Sequence, residues 1–216
     1  MPRLFVALEL PPPVLDGILG DTDHAGNVMP GVMGGVEGAR WQRADQLHLT
    51  LAFMGMVEGP RADDLASELD RIQMTPFRLG LRGVNKFGKE DRVKTLWAGV
   101  DDPQPVVHLH EKVMRAIGRL NVPLDERRFV PHVTLARFHR RADPPVQGWL
   151  NANENFATES GVVTHFTLFS SHQTDEGSYY RAEARFGPGA AYADDSHDDG
   201  HDGLHDDHDH WEGEQL

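Results

Sequence analysis

Two nine-residue segments of the chain, LHLTLAFMG at 47–55 and PHVTLARFH at 131–139, repeat one phrase. Each has a histidine, an apolar residue, a threonine, then Leu-Ala and a large side chain. Side chains alternate along a strand, so His48, Thr50 and Ala52 are expected on one face, with Leu47, Leu49, Leu51 and Phe53 on the other. In the second copy His132, Thr134 and Ala136 share a face while Val133 and Leu135 pack away. A front of His, Thr and Ala makes a poor core and a good pocket floor. Imidazole titrates at about 6.5, so two of them facing one point suit paired acid and base work. Threonine hydroxyls two residues on can donate to an anionic oxygen. Phosphoryl transfer fits that set: hydroxyls meet the non-bridging oxygens, one histidine activates water, and the other protonates the departing alkoxide. The scheme calls for no metal and no cofactor.

A lone His-x-Thr on a strand is ordinary; two copies in matching apolar frames, 84 residues apart, are not. The charge context agrees. Residues 127–141, RRFVPHVTLARFHRR, hold Arg127, Arg128, Arg137, Arg140 and Arg141 with no acid, as a phosphate-facing segment would. Phe53 and Arg137 each stand five residues after a motif histidine, a base-stacking type and a phosphate-binding type. Strict alternation turns both away from the pocket, and they reach it only where the strand bulges or ends. A zinc site would need a third ligand, and no Asp or Glu stands at a suggestive offset. The chain has no cysteine and no nucleophile-elbow sequence, which removes thiol and serine-type nucleophiles.

The elements that must carry these residues can be read from periodicity. Residues 3–10 alternate as a strand; the prolines at 11–13 close it and open a helix with Val14, Leu15, Ile18 and Leu19 on one face. Residues 25–39, with five glycines and a proline, read as a mobile loop. Helices are expected over 60–73, 104–120 and 145–152, and strands over 47–54, 77–88, 93–100, 129–138, 161–173 and 178–186. That order implies an α+β domain of two similar halves, each with one copy of the phrase.

The 216 residues carry a net charge of −13, but ten acids and no Lys or Arg lie beyond residue 193. The remainder has 24 acids against 21 bases, an ordinary globular balance. The tail, residues 188–216, is a low-complexity Asp/His/Gly run that is expected to be disordered, with weak divalent-metal capture as its functional alternative. No run approaches the roughly 18–20 apolar residues that span a bilayer, and the N-terminus lacks a signal-peptide pattern. A cytoplasmic monomer that makes no membrane contact is the expectation.

At these residues the sequence resembles the two-histidine phosphoesterase superfamily, and within it the RNA 2′,3′-cyclic phosphodiesterases, or 2′-5′ RNA ligase-like (LigT/ThpR-type) proteins. The resemblance runs from RLFVALELP through RWQRADQLHLTLAFMG and LWAGV to RFVPHVTLARF and YRAEARF, about residues 1–187. It implies a LigT-like fold: two pseudo-two-fold-related lobes with antiparallel sheets facing a central groove. It also implies RNA ends with a 2′,3′-cyclic phosphate as partner, hydrolysed to a 2′-phosphomonoester. By resemblance His48 is the proton donor and His132 the proton acceptor; Thr50, Thr134 and Arg137 contact phosphate, and Phe5 and Phe53 hold a base. Near-symmetric sites leave the acid and base assignment to the resemblance alone. Alternatives are small cyclic nucleotides or 2′-5′ oligonucleotides as substrates, the reverse 2′-5′ ligation, and a non-enzymatic RNA-end-binding module.

Overall fold

The computed structural model describes residues 3–20, 31–89, 92–120, 122, 128–138, 146–174 and 177–190. Arg127, Arg140, Arg141 and the Asp/His run from residue 191 onward lie outside the described residues.

Among the described residues, eight antiparallel strands form the main sheet. On one side are β1 (Arg3–Glu9), β3 (His48–Met56), β9 (Phe166–Thr174) and β10 (Gly177–Phe186), in the order β10-β9-β1-β3. On the other are β7 (His132–Arg137), β6 (Arg92–Val100) and β5 (Leu81–Lys89), with the short β2 (Arg40–Trp41) added to β7. The two halves meet edge to edge where β3 and β7 pair at Leu49 and Val133, the residue after each motif histidine. This is the expected α+β architecture of antiparallel halves related by a pseudo-two-fold.

β1 lies inside the sheet between β3 and β9 and reads as a continuous apolar run, with Leu4, Phe5, Val6, Ala7 and Leu8 all buried. α1 (Pro12–Leu19) starts on prolines, which lack the N–H that a first turn leaves unpaired, and buries Val14 and Ile18. α2 (Gly59–Asp70) buries Leu65 and Leu69 and keeps Asp63, Asp64 and Asp70 outward, while Glu68 is half-covered between Arg71 and Arg119. α3 (Gln104–Gly118) buries Val106, Leu109, Val113, Ala116 and Ile117. α2 packs on α3, and α3 on β3, so these helices back the sheet. α4 (Val146–Ala152) inserts Val146 and Trp149. None of the described helices is long and apolar enough to cross a membrane.

Two sequence expectations change here. Residues 77–88 and 161–173 are each divided into two strands. β4 (Phe77–Leu79) and β8 (Gly161–Val163) pair in a separate two-stranded sheet. The breaks fall at Gly80, which packs closely on Ser160, and at Thr164–His165. The loop expected to be mobile over 25–39 is anchored through its described part. Val32 and Val36 are buried, the Val32 N–H donates to Ile18 O at 3.0 Å, and Trp149 Nε1 donates to Val32 O at 3.3 Å. Two valines four residues apart outweigh the glycines around them.

Candidate active site

His48 opens β3 directly after a single 3-10 turn at Ala44–Gln46, and that turn leaves the Gln46 carbonyl 2.7 Å from His48 Nδ1. A carbonyl only accepts, so Nδ1 carries the hydrogen and Nε2 is the nitrogen free for proton exchange. Nε2 lies 3.1 Å from Thr50 Oγ1. His132 opens β7 in the same manner, its Nδ1 donating over 2.7 Å to the carbonyl of Val130, again two residues upstream. The repeated phrase thus encodes a repeated tautomer.

The single Leu49–Val133 pairing puts both rings on one face. Antiparallel counting sets Thr50 across from His132 and Thr134 across from His48, with the imidazoles as diagonal neighbours. Burial pushes His48 from its ordinary range down to about 4; the Gln46 carbonyl opposes the fall, and the Arg137 and His132 charges add to it. Burial likewise pushes His132 down, opposed by the Val130 carbonyl and reinforced by Arg137. Arg137 therefore acts on both imidazoles, and the imidazoles act on each other. Arg137 supplies positive charge beside both imidazoles, and an anion bound there would favour their protonated forms.

Bulges decide what else faces this cluster. β1 pairs Ala7 with Thr50 and Val6 with Ala52, which leaves Leu51 as an extra residue. β6 pairs Trp97 with Thr134 and Leu96 with Ala136, which leaves Leu135 extra at the matching position. Each bulge inverts the alternation that follows it. Ala52 and Ala136 are consequently buried at 5% and 0% exposure, not on the histidine face as strict alternation expects. Phe53, 47% exposed, and Arg137, also exposed, turn to that face instead. Phe5 pairs with Phe53 and shares its face, but is only 3% exposed. Its ring is taken up by His48, Phe169 and Tyr180 at centroid distances of 5.0, 5.2 and 5.1 Å. It forms a wall beside His48 rather than an open stacking surface.

Several neighbours were not singled out from the sequence. Phe87 and Trp97 stack on each other at 4.9 Å and meet the His132 ring edge-on at 4.9 and 5.7 Å. Arg40 pairs with Arg137 across β2 and β7, which adds a second exposed cation on this face. Glu9 lies opposite His48 but is occupied: Thr167 Oγ1 donates to it at 2.6 Å and Arg185 Nε at 2.9 Å, with His165 Nε2 at 3.4 Å. Burial raises its carboxyl, but bonds from His165, Arg185 and Thr167 prevail and hold it at about 2. A cleft of about 210 Å³ opens beside His48, lined by Phe5, Leu15, Asp45, Phe169 and Tyr180 among others. Register is what assembles these groups, and a single sequence does not print register. Among the described residues, no group of three or more His, Asp or Glu side chains is placed to hold a metal ion.

The depressed His48 value carries a stability prediction. An unfolded histidine at about 6.5 binds a proton that the folded one, at about 4, refuses. Stability from this group is therefore present above pH 6.5 and lost as pH falls toward 4, by about 3 kcal/mol at the limit. Urea unfolding at several pH values should show a flatter dependence in His48→Ala than in the wild type across that window. Identical slopes would mean that His48 is not desolvated.

The family model of the 2′-5′ RNA ligase superfamily matches residues 37–175, a span that includes both histidine strands. The chain belongs to the 2′-5′ RNA ligase superfamily. Among relatives in that superfamily, the RNA 2′,3′-cyclic phosphodiesterase of Escherichia coli K12 is 30% identical over 190 residues, which cover 86% of this chain and 93% of that one. The RNA 2′,3′-cyclic phosphodiesterase of Aeropyrum pernix is 30% identical over 139 residues, 63% of this chain and 79% of that protein. The crystal structure of E. coli LigT complexed with 3′-AMP superposes with a TM-score of 0.64 at 27% identity, covering 86% of this chain and 97% of LigT.

Proposed function

We propose that this superfamily member hydrolyses RNA 2′,3′-cyclic phosphate ends to 2′-phosphomonoesters by acid–base catalysis between His48 and His132. The observation that carries the reading is the pair of imidazoles on one face, each held through Nδ1 by a carbonyl two residues upstream and each under the influence of Arg137. The names of the E. coli and A. pernix relatives support the substrate class.

In this mechanism Thr50, Thr134 and Arg137 hold the non-bridging oxygens of the cyclic phosphate. Neutral His132 takes a proton from water through Nε2 as the water oxygen attacks phosphorus. The P–O3′ bond breaks, and His48, as imidazolium, gives its Nε2 proton to the 3′ oxygen. The product is a 2′-phosphomonoester with a free 3′-hydroxyl. The free protein holds His48 largely neutral at pH 7. The bound phosphate anion supplies the opposite charge that raises it and loads the acid. Replacing water by a 5′-hydroxyl would give a 2′-5′ link, but water at bulk concentration favours hydrolysis.

Phe53 is an exposed ring on the histidine face, suited to stack on the terminal base. Phe53→Ala is expected to raise KM by roughly five- to hundredfold while kcat stays within a few-fold, read by initial rates on a short cyclic-phosphate RNA. An unchanged KM would remove Phe53 from the base site. The reading as a whole is tested by incubating EDTA-treated protein with RNA bearing a 2′,3′-cyclic end and identifying the monoester formed. A 2′-phosphate is expected. A 3′-phosphate, binding without turnover, or activity that returns only with zinc would overturn it.

A further inference from the structure

The two bulges that turn Phe53 and Arg137 toward the histidines have carbonyls to satisfy at their extra residues. Leu135 O accepts the backbone N–H of Gln42 at 2.8 Å, a bond that no side-chain change removes. Leu51 O is met by a side chain: His110 Nδ1, from α3, lies 2.7 Å away. Because the carbonyl only accepts, His110 is the Nδ1–H tautomer and donates.

The same imidazole lies flat on Phe129, with centroids 3.7 Å apart and planes 7° from parallel. Phe129 immediately precedes Val130, whose carbonyl holds His132 Nδ1. One ring on α3 thus touches both halves of the site from behind. It fixes the bulge that sets Phe53 in β3, and it clamps the segment that orients His132 before β7. We infer that His110 is a positioning residue that couples the two histidine strands, although it touches neither substrate nor reacting atoms. This inference rests on the proposed phosphodiesterase reading. It adds a third histidine, outside the two repeated phrases, to the machinery of that site.

The loss of such a support displaces groups by fractions of an ångström to an ångström, which costs up to about a hundredfold in turnover. The test uses the full chain with His110→Ala and His110→Asn, the latter chosen because its amide N–H reaches the place of Nδ1–H. Circular dichroism establishes that each variant is folded. Rates on a cyclic-phosphate RNA and 15N spectra of the imidazoles are then compared. In His110→Ala, kcat is expected to fall by about tenfold to a hundredfold, and His132 should pass from a single Nδ1–H tautomer to a mixture. His110→Asn should recover most of kcat and the single tautomer. The inference is overturned if His110→Ala matches the wild type in kcat and in the His132 spectrum, or if His110→Asn is as impaired as His110→Ala. Should the wild type fail to hydrolyse the RNA, the proposed function falls, and the His132 spectra of the two variants still decide whether His110 positions that ring.

Discussion

His48→Ala and His132→Ala are each expected to lower kcat on an RNA 2′,3′-cyclic phosphate by about a hundred- to ten-thousand-fold, with KM changed far less. The reason is where each ring acts. Nδ1 is fixed on a carbonyl in both cases, so Nε2 has only proton transfer to perform, and that interaction matters in the transition state rather than in the bound ground state. Because the proposed mechanism has the two rings serve opposite ends of one displacement, their losses should not add; the double variant is expected to be little worse than the poorer single one. Neither ring belongs to the apolar core, and both lie at the first residue of their strands, so circular dichroism should not change. Near-normal turnover in either single variant would remove that residue from the chemistry.

The second large effect is in pH. In the free protein both imidazoles titrate below their usual 6.5, His48 at about 4. The proposed mechanism needs one protonated and one neutral ring. The bell in kcat/KM, which reports free enzyme, should therefore peak on the acid side of pH 6.5 and fall by about tenfold per pH unit well above it. Once the anionic substrate is bound, its charge favours imidazolium and raises the acid group. The bell in kcat should then lie at higher pH than that in kcat/KM. Profiles from pH 4 to 9 on a single cyclic-phosphate RNA check both statements. A kcat/KM optimum above pH 7, or two superimposable bells, would contradict the charge environment described for His48 and Arg137.

Residue pattern made much of this molecule legible. The doubled phrase located both histidine strands, the prolines at 11–13 with apolar spacing located α1, and apolar spacing located α2. What remained hidden depends on pairing partners. Leu51 and Leu135 look like ordinary inward residues of an alternating strand, and only their register against β1 and β6 shows them as bulges. For that reason Ala52 and Ala136 were expected on the wrong face, and Phe53 and Arg137 could be offered only conditionally. Phe5 sat in an apolar run that gives no sign of facing, and its burial under Phe169 and Tyr180 comes from strands more than 150 residues away. His110 carries no motif at all; its meaning lies in a carbonyl 59 positions distant in sequence.

In the proposed mechanism Nε2 of His48 and Nε2 of His132 address one phosphorus from opposite sides. A crystal structure of the protein with a 2′-phosphorylated nucleotide tests it most directly. A single phosphate is expected, with oxygens within about 3 Å of both Nε2 atoms and of Thr50 and Thr134, and Arg137 closing over it. A phosphate held by one histidine alone, or seated away from both, would contradict it.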